Sequence, residues 1–333
     1  LKFGPVAVAE AFGAIVAHAV RRDGLVLKKG QVVTSEHQAA LKAAGVAEII
    51  AARLDPGDVG EDEAARRLSA RLAGPNLRCE GAFTGRVNLF AEKAGLVIVD
   101  AARIAGVNGV DEAITAATLA PFRAVAPGDM VATVKIIPFA VPGVMLDAAL
   151  EAAGKGAVRI AAFRPLRVGV VSTLLPGLKP SVVAKTLRIL ADRLEPAGAR
   201  IVREERVAHE PAALARALIA IAPDCDVLLV FGASAITDRR DVIPAAVEAI
   251  GGRVDHFGMP VDPGNLLLLG AHGRLPIIGA PGCARSPKEN GFDWVLQRVL
   301  ADVPVKASDI MGMGVGGLLM EIASRPQPRL GDG

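Results

Sequence analysis

The stretch 224-DCDVLLVFGASAITDRRDVIPAAVEAIGG-252 decides the fold. Asp226–Phe231 is a short, mostly apolar run of strand length bounded by turn residues. Such a run fits a strand buried on both faces of a parallel sheet. The small residues Gly232-Ala-Ser-Ala235 follow, and they let a ligand approach the backbone closely. Asp241 is placed to cap the next helix, with Pro244 in its first turn, where a missing N–H is harmless. Gly251 and Gly252 end that helix. Strand, small-residue loop and helix start together aim N–H groups and a positive dipole end at one place, which suits a phosphate. Any α/β crossover also needs small residues at its turn, so this loop alone is a weak motif.

Two further loops strengthen it. Val261-Asp-Pro-Gly264 turns into the apolar run Leu266–Leu269, and Gly270-Ala-His-Gly273 turns into Leu275–Ile278. Gly279-Ala-Pro-Gly282 then breaks the chain before a helix expected over about 289–300. Glycine-bearing loops beyond the ends of neighbouring strands are where ligands of open α/β sheets bind. Upstream, strands are expected at 166–172 and 200–207 and helices at 181–194 and 211–221. That alternation implies an α/β fold with a mostly parallel sheet covered by helices on both faces.

These loops carry a resemblance. Phe231-Gly-Ala-Ser-Ala-Ile-Thr-Asp238 resembles the Gly-Gly-Val-Ser-Val-Gly-Asp loop of the molybdopterin-binding domain of molybdopterin molybdotransferases. Pro263-Gly264 is similar to that family's Pro-Gly-Lys-Pro turn. Gly279-Ala-Pro-Gly-Cys-Ala-Arg-Ser286 resembles its Gly-Leu-Pro-Gly-Asn-Pro-Val-Ser loop. The match spans about 140 residues in the right order. It implies a cradle for molybdopterin, or its nucleotide derivative, made by Ser172, Thr173, Gly232, Ala233, Ser234, Asp238, Pro263, Gly264, Pro281, Gly282, Cys283 and Ser286. Asp238 matches the family acid and is read as a ligand or Mg²⁺ contact. Cys283 either touches the ligand or serves as a small buried side chain. The departures are equally specific. The family's Ser-Thr-Gly-Asp-Glu-Leu reads Ser172-Thr-Leu-Leu-Pro-Gly177 here, so its two acids are gone. Asn265 replaces the lysine of the Pro-Gly-Lys-Pro turn, Cys283-Ala284 replaces Asn-Pro, and an Asp-Gly-Tyr-Ala segment is absent.

Composition removes several function classes. The net charge is +3, with no Tyr and one Trp, Trp294. The aromatic platforms of a single-strand nucleic-acid binder are therefore missing, and most Arg and Lys alternate with Asp and Glu, the pattern of a solvated face. No uncharged run approaches the ~20 residues of a membrane span. Cys79, Cys225 and Cys283 are odd in number and widely spaced, which fits reduced thiols better than a disulfide framework or a zinc site. No secretory leader is evident, so a cytoplasmic location is expected. A dinucleotide-binding reading needs Gly-x-Gly-x-x-Gly after the first strand, and the chain offers only Pro176-Gly177 there. His256 and His272 read as turn or strand-end residues, and no triad ordering stands out.

The length suggests several domains. A small N-terminal α/β unit is expected over 1–75 and an α+β segment over 76–160. The main α/β domain is expected over 165–303, with a tail or docking segment at 304–333. In the first unit Ser35 and Gln38 form a capping box opening a helix, 46–52 is a candidate strand, and a charged helix runs over 61–72. In the second, 96–100 and 131–137 are strands, 111–119 is a helix, and Gly106-Val-Asn-Gly109 is a turn. Asn88, Arg103 and Asn108 are polar candidates with no role carried over.

Two functions follow from the resemblance and its departures. One is a molybdopterin-binding protein of molybdenum cofactor biosynthesis, acting as carrier or partner module for a nucleotidyltransferase or a molybdoenzyme chaperone, in a homo-oligomer. The other is a divergent molybdotransferase that inserts molybdate with other acids. Loss of the Asp-Glu pair favours the first.

Overall fold

The computed structural model describes residues 1–319. The chain divides into two compact units, one comprising 1–93 and 97–161 and the other 94–96 with 162 onward.

The second unit runs β1 (Arg167–Leu174), α1 (Pro180–Leu194), β2 (Arg200–Ala208), α2 (Pro211–Ile221), β3 (Val227–Phe231), α3 (Val242–Ala249), β4 (Arg253–Phe257), β5 (Leu268–His272), β6 (Leu275–Ala280), α4 (Gly291–Leu300) and α5 (Ala307–Met311). The strands form one sheet in the order β2-β1-β3-β6-β5-β4. β2, β1, β3 and β6 are mutually parallel, whereas β5 runs antiparallel to both β6 and β4. The central strands β1, β3 and β6 are buried on both faces, with successive side chains alternating between them. Val168, Val170, Val227, Leu229, Phe231 and Ile278 pack with Leu190 and Leu194 of α1 and with Phe292, Val295 and Leu296 of α4. The intervening Val171, Leu228, Val230 and Ile277 pack with Leu214 and Leu218 of α2 and Ile243 and Val247 of α3. Uninterrupted apolar strands are what this double covering requires.

Helix ends follow local chemistry. Pro180 opens α1, and Gly198, in the left-handed region at φ 62°, closes the turn beyond it. Asn290 caps α4 by accepting from Phe292 N–H, while Asp293 reaches back to the Asn290 N–H. In the region expected to be a tail, α5 forms with Ile310 fully buried among the α4 core residues; residues 320–333 of that segment lie outside the described residues.

In the first unit, the charged helix Glu61–Leu72 packs Leu68 and Leu72 against Val87, Leu89, Val134 and Ile136. Those strands belong to a four-stranded antiparallel sheet of Ile114–Thr118, Met130–Ile136, Arg86–Ala91 and Leu77–Cys79. A separate core of Val8, Val16, Leu41 and Ile49 underlies Lys2–Ala7 and Glu48–Arg53. Three local expectations are corrected here. The segment 111–119 is not a helix: Ile114–Thr118 pairs with Met130–Ile136, which places Ile114 and Ala116 in the core. Alanine favours helix intrinsically, but burial against a partner strand overrides a weak propensity. Gly106-Val-Asn-Gly109 is not a free turn but the end of the helix Ala101–Asn108, capped by Asp100. The N-terminal cap near position 35 is Thr34, with His37 as its reciprocal partner, one residue earlier than the Ser35–Gln38 reading.

Phe292 is fully buried, with its ring centroid 6.3 Å from that of Phe231. Phe292→Ala is expected to cost about 3–5 kcal/mol of unfolding free energy by denaturant titration, through lost transfer and an unfilled cavity. A loss near zero would mean that α4 does not seal this face.

Candidate functional site

Because β1, β3 and β6 are parallel neighbours, the segments after them, 172–177, 232–238 and 280–286, leave the sheet at one edge. The 258–267 segment returns at the same edge, since β4 runs parallel to β6 and β5 opposes both. The topology therefore gathers every loop of the sequence motifs in one place.

Named bonds tie these loops together. Thr173, at the end of β1, is buried, and its Oγ1 accepts from the Ala233 N–H at 2.8 Å. The same oxygen lies 2.8 Å from His209 Nδ1, in the turn after β2. Arg285, in the short 3-10 turn after β6, donates from Nη2 to the Gly232 carbonyl at 2.8 Å and from Nη1 to Thr186 Oγ1 of α1 at 3.1 Å. Pro263 accepts from the Gly291 N–H at 2.9 Å. Gly264 sits at φ 146°, and a Cβ there would come within 2.8 Å of the Gly291 backbone. Only glycine lets this turn seat on the start of α4.

The expected residues divide accordingly. Ser172 and Thr173 are buried behind the loop, Ser234 is exposed on it, and Gly232 and Ala233 are already engaged through one backbone group each. Pro281 is buried and Gly282 exposed, and the half-buried Cys283 thiol is pushed up from its ordinary pKa by burial. Ser286 contributes its carbonyl to Arg193 rather than its hydroxyl to the edge. Asp238 faces solvent and is held by its neighbour: Arg240 Nε lies 2.8 Å from its carboxylate, and this pairing lowers the Asp238 pKa to about 2. Asp241 is spent on structure, accepting from the N–H groups of Val242 and Thr237. That carboxylate occupies the positive end of α3, so the helix dipole is met internally.

Arg193 holds the last loop from beneath. From α1 its Nε reaches Asp293 Oδ1 at 2.5 Å, Nη1 the Ala284 carbonyl at 2.9 Å and Nη2 the Ser286 carbonyl at 2.6 Å. Both charged side chains are only 11 % exposed. Arg193, Arg285, Thr186 and His209 were not singled out in the sequence. Arg285 alone left a local sign, a charge within a small-residue loop where the resembling family has valine.

A cleft of about 1120 Å³ opens at the other end of the strands, lined in part by Arg164, Asp226, Arg253 and Asp255. Most of its charges are paired locally, Arg164 with Asp302, Arg253 with Asp255 and Asp226 with Arg167, while Arg274 has no carboxylate within ion-pairing distance among the described residues. Among the described residues no group of three or more His, Cys, Asp or Glu is placed to hold a metal ion, and no helix is long and apolar enough to cross a membrane.

Comparison with known proteins adds the decisive observation: residues 172–302 match the family model described as "Probable molybdopterin binding domain". Over this span the chain is similar to the molybdopterin-binding domain family. The matched span begins at Ser172 and contains all four loops of the edge. Residues 5–53 match a domain of unknown function (DUF8806). No curated protein matches the chain. Among solved structures, molybdenum cofactor biosynthesis protein B is similar at 20 % identity and TM-score 0.31, over 43 % of this chain and 98 % of that one. CinA of Thermoplasma acidophilum, titled as of unknown function, is similar at 17 % identity and TM-score 0.32, over 41 % of this chain and 98 % of that one. The molybdopterin biosynthesis moea protein of Pyrococcus horikosii is similar at 16 % identity and TM-score 0.31, over 91 % of this chain and 76 % of that one.

Arg193→Met is expected to destabilise the domain by about 3–5 kcal/mol, since it leaves Asp293 buried without its partner. Amide exchange should also accelerate over residues 284–288. A loss below about 1 kcal/mol, with unchanged exchange, would show that the pair does not hold the loop.

Proposed function

We propose that the loop edge binds molybdopterin, or a nucleotide form of it, and that the protein carries or presents this ligand rather than inserting molybdate. The observation that carries this reading is the commitment of the nearby acids. Asp238 is paired with Arg240, Asp241 caps α3, and Asp293 is locked on Arg193. At the end of β1, where the resembling family has two acids, Leu174 and Leu175 stand instead. Activating molybdate or cleaving an adenylylated pterin needs carboxylates that hold a metal or move a proton, and leucine does neither.

Binding needs less. In the 232–236 loop, the N–H groups of Ser234 and Ala235 make no backbone hydrogen bond outside helices and strands among the described residues. Exposed, converging N–H groups suit phosphate oxygens. Ser172, Thr173, Pro263, Gly264, Pro281, Gly282 and Cys283 would shape the wall around the ligand, with Ser286 at its margin. A Mg²⁺ brought with the phosphate would reach Asp238 once Arg240 released it. The bound ligand would then pass to a nucleotidyltransferase or a molybdoenzyme chaperone.

Purified protein should bind molybdopterin in a fluorescence titration yet insert molybdate far more slowly than an authentic molybdotransferase. Ser234→Asp, which puts a like charge among the phosphate oxygens, should weaken that binding by roughly tenfold or more. Wild-type insertion at a molybdotransferase's rate would establish the transferase reading instead. Unchanged affinity in Ser234→Asp would remove the phosphate from this loop.

A further inference from the structure

Arg285 is a half-buried charge at this edge that has no carboxylate partner among the described residues. Its guanidinium lies over the Phe231 ring, 5.6 Å from the centroid, and is anchored by the Gly232 carbonyl and the Thr186 hydroxyl. Those two bonds use two of its five N–H groups. Among the described residues no carboxylate stands within ion-pairing distance of it. The contrast with Arg193, anchored on the same helix layer, is direct: that guanidinium has Asp293. Burial depresses the Arg285 pKa and nothing named offsets the shift.

A half-buried cation held by neutral acceptors and an aromatic face is stable enough to keep its place, but its charge is left uncompensated. Its position is also informative. It joins the loop after β3, the loop after β6 and the second turn of α1, so it stands where three walls of the edge meet. The planar fork of arginine matches the oxygens of a tetrahedral anion through parallel N–H···O bonds.

We propose that Arg285 is the receptor for a tetrahedral oxyanion at the loop edge. Two sources share that chemistry: the phosphate monoester of the pterin ligand and a free oxyanion such as molybdate. The assignment rests on reading this edge as the ligand site, but its test does not need the pterin. The anion completes an ion pair that the protein leaves half-built, and it bridges the loop carrying Gly232 to the loop carrying Arg285.

The experiment is calorimetric titration of the full chain with inorganic phosphate, with molybdate and with a simple phosphate monoester, at low ionic strength. Arg285→Gln and Arg285→Lys are compared with wild type, and Arg274→Gln on the opposite edge serves as control. Phosphate affinity should fall roughly 10- to 100-fold in Arg285→Gln, the range expected for loss of charged hydrogen bonds. It should fall less in Arg285→Lys and stay unchanged in Arg274→Gln. A monoester bound more tightly than molybdate assigns the site to the ligand's phosphate, and the reverse order assigns it to the free oxyanion. If Arg285→Gln does not fold, Arg285→Lys carries the test, because it keeps the charge and loses the fork. Wild type that binds none of the three anions, or a folded Arg285→Gln or Arg285→Lys that binds phosphate as wild type does, overturns the proposal. Anion binding lost with Arg285 in a protein that does not bind molybdopterin would sink the pterin reading alone. Molybdopterin binding that persists in a folded Arg285→Gln whose affinity for phosphate and molybdate is also unchanged would sink this inference alone.

Discussion

The buried pair between Arg193 and Asp293 is the constraint on which the loop edge depends. Asp293 lies in the first turn of α4, where its carboxylate also accepts the Asn290 N–H. Arg193 comes from the last turn of α1 and spends its remaining donors on carbonyls of the 284–288 segment. One guanidinium thus fixes two helices and the chain between β6 and α4. An isolated buried pair contributes little net stability, since desolvation offsets much of the attraction. Its value here is geometric. Without it the segment bearing Cys283 and Arg285 would have no fixed height above the sheet, and Arg285 could not reach Gly232.

The same edge shows how a parallel sheet converts sequence order into a site. β1, β3 and β6 are separated by long stretches of chain, yet their C-terminal ends are adjacent because each pairs in parallel with the next. The loops after β3 and β6 are rich in small residues, whereas Val227–Phe231 is made of long apolar ones. Thr173 then stitches the first loop to the second through the Ala233 N–H, and Arg285 stitches the second to the third. A half-buried guanidinium with no carboxylate partner among the described residues is the feature on which the proposed anion site rests. In the opposite cleft Arg164 and Arg253 are already paired.

Much of this was legible in the sequence, for physical reasons that differ by element. Val227–Phe231, Pro211–Ile221 and Glu61–Leu72 were readable because periodicity and capping act locally, and their bounds fall within a residue or so of expectation. The 111–119 segment was misread because its alanines are compatible with either state, and only the partner strand Met130–Ile136 decides between them. The site was legible as loops but not as chemistry. Thr173 was expected at the edge, whereas its link to His209 joins residues 36 apart in sequence. Arg193 meets Asp293 100 residues away, and no pattern in either helix announces it. Asp241 was correctly read as a cap, and that role also removes the dipole end of α3 from the ligand.

The central claim is that the ligand sits on the loop edge and not in the opposite cleft. Hydrogen–deuterium exchange of the full chain with and without molybdopterin tests it most directly. The account predicts slowed exchange over 172–177, 232–238, 262–265 and 281–286, with the 253–255 and 269–276 segments unchanged. Protection confined to those cleft segments, with the four loops exchanging as in the free protein, would contradict it.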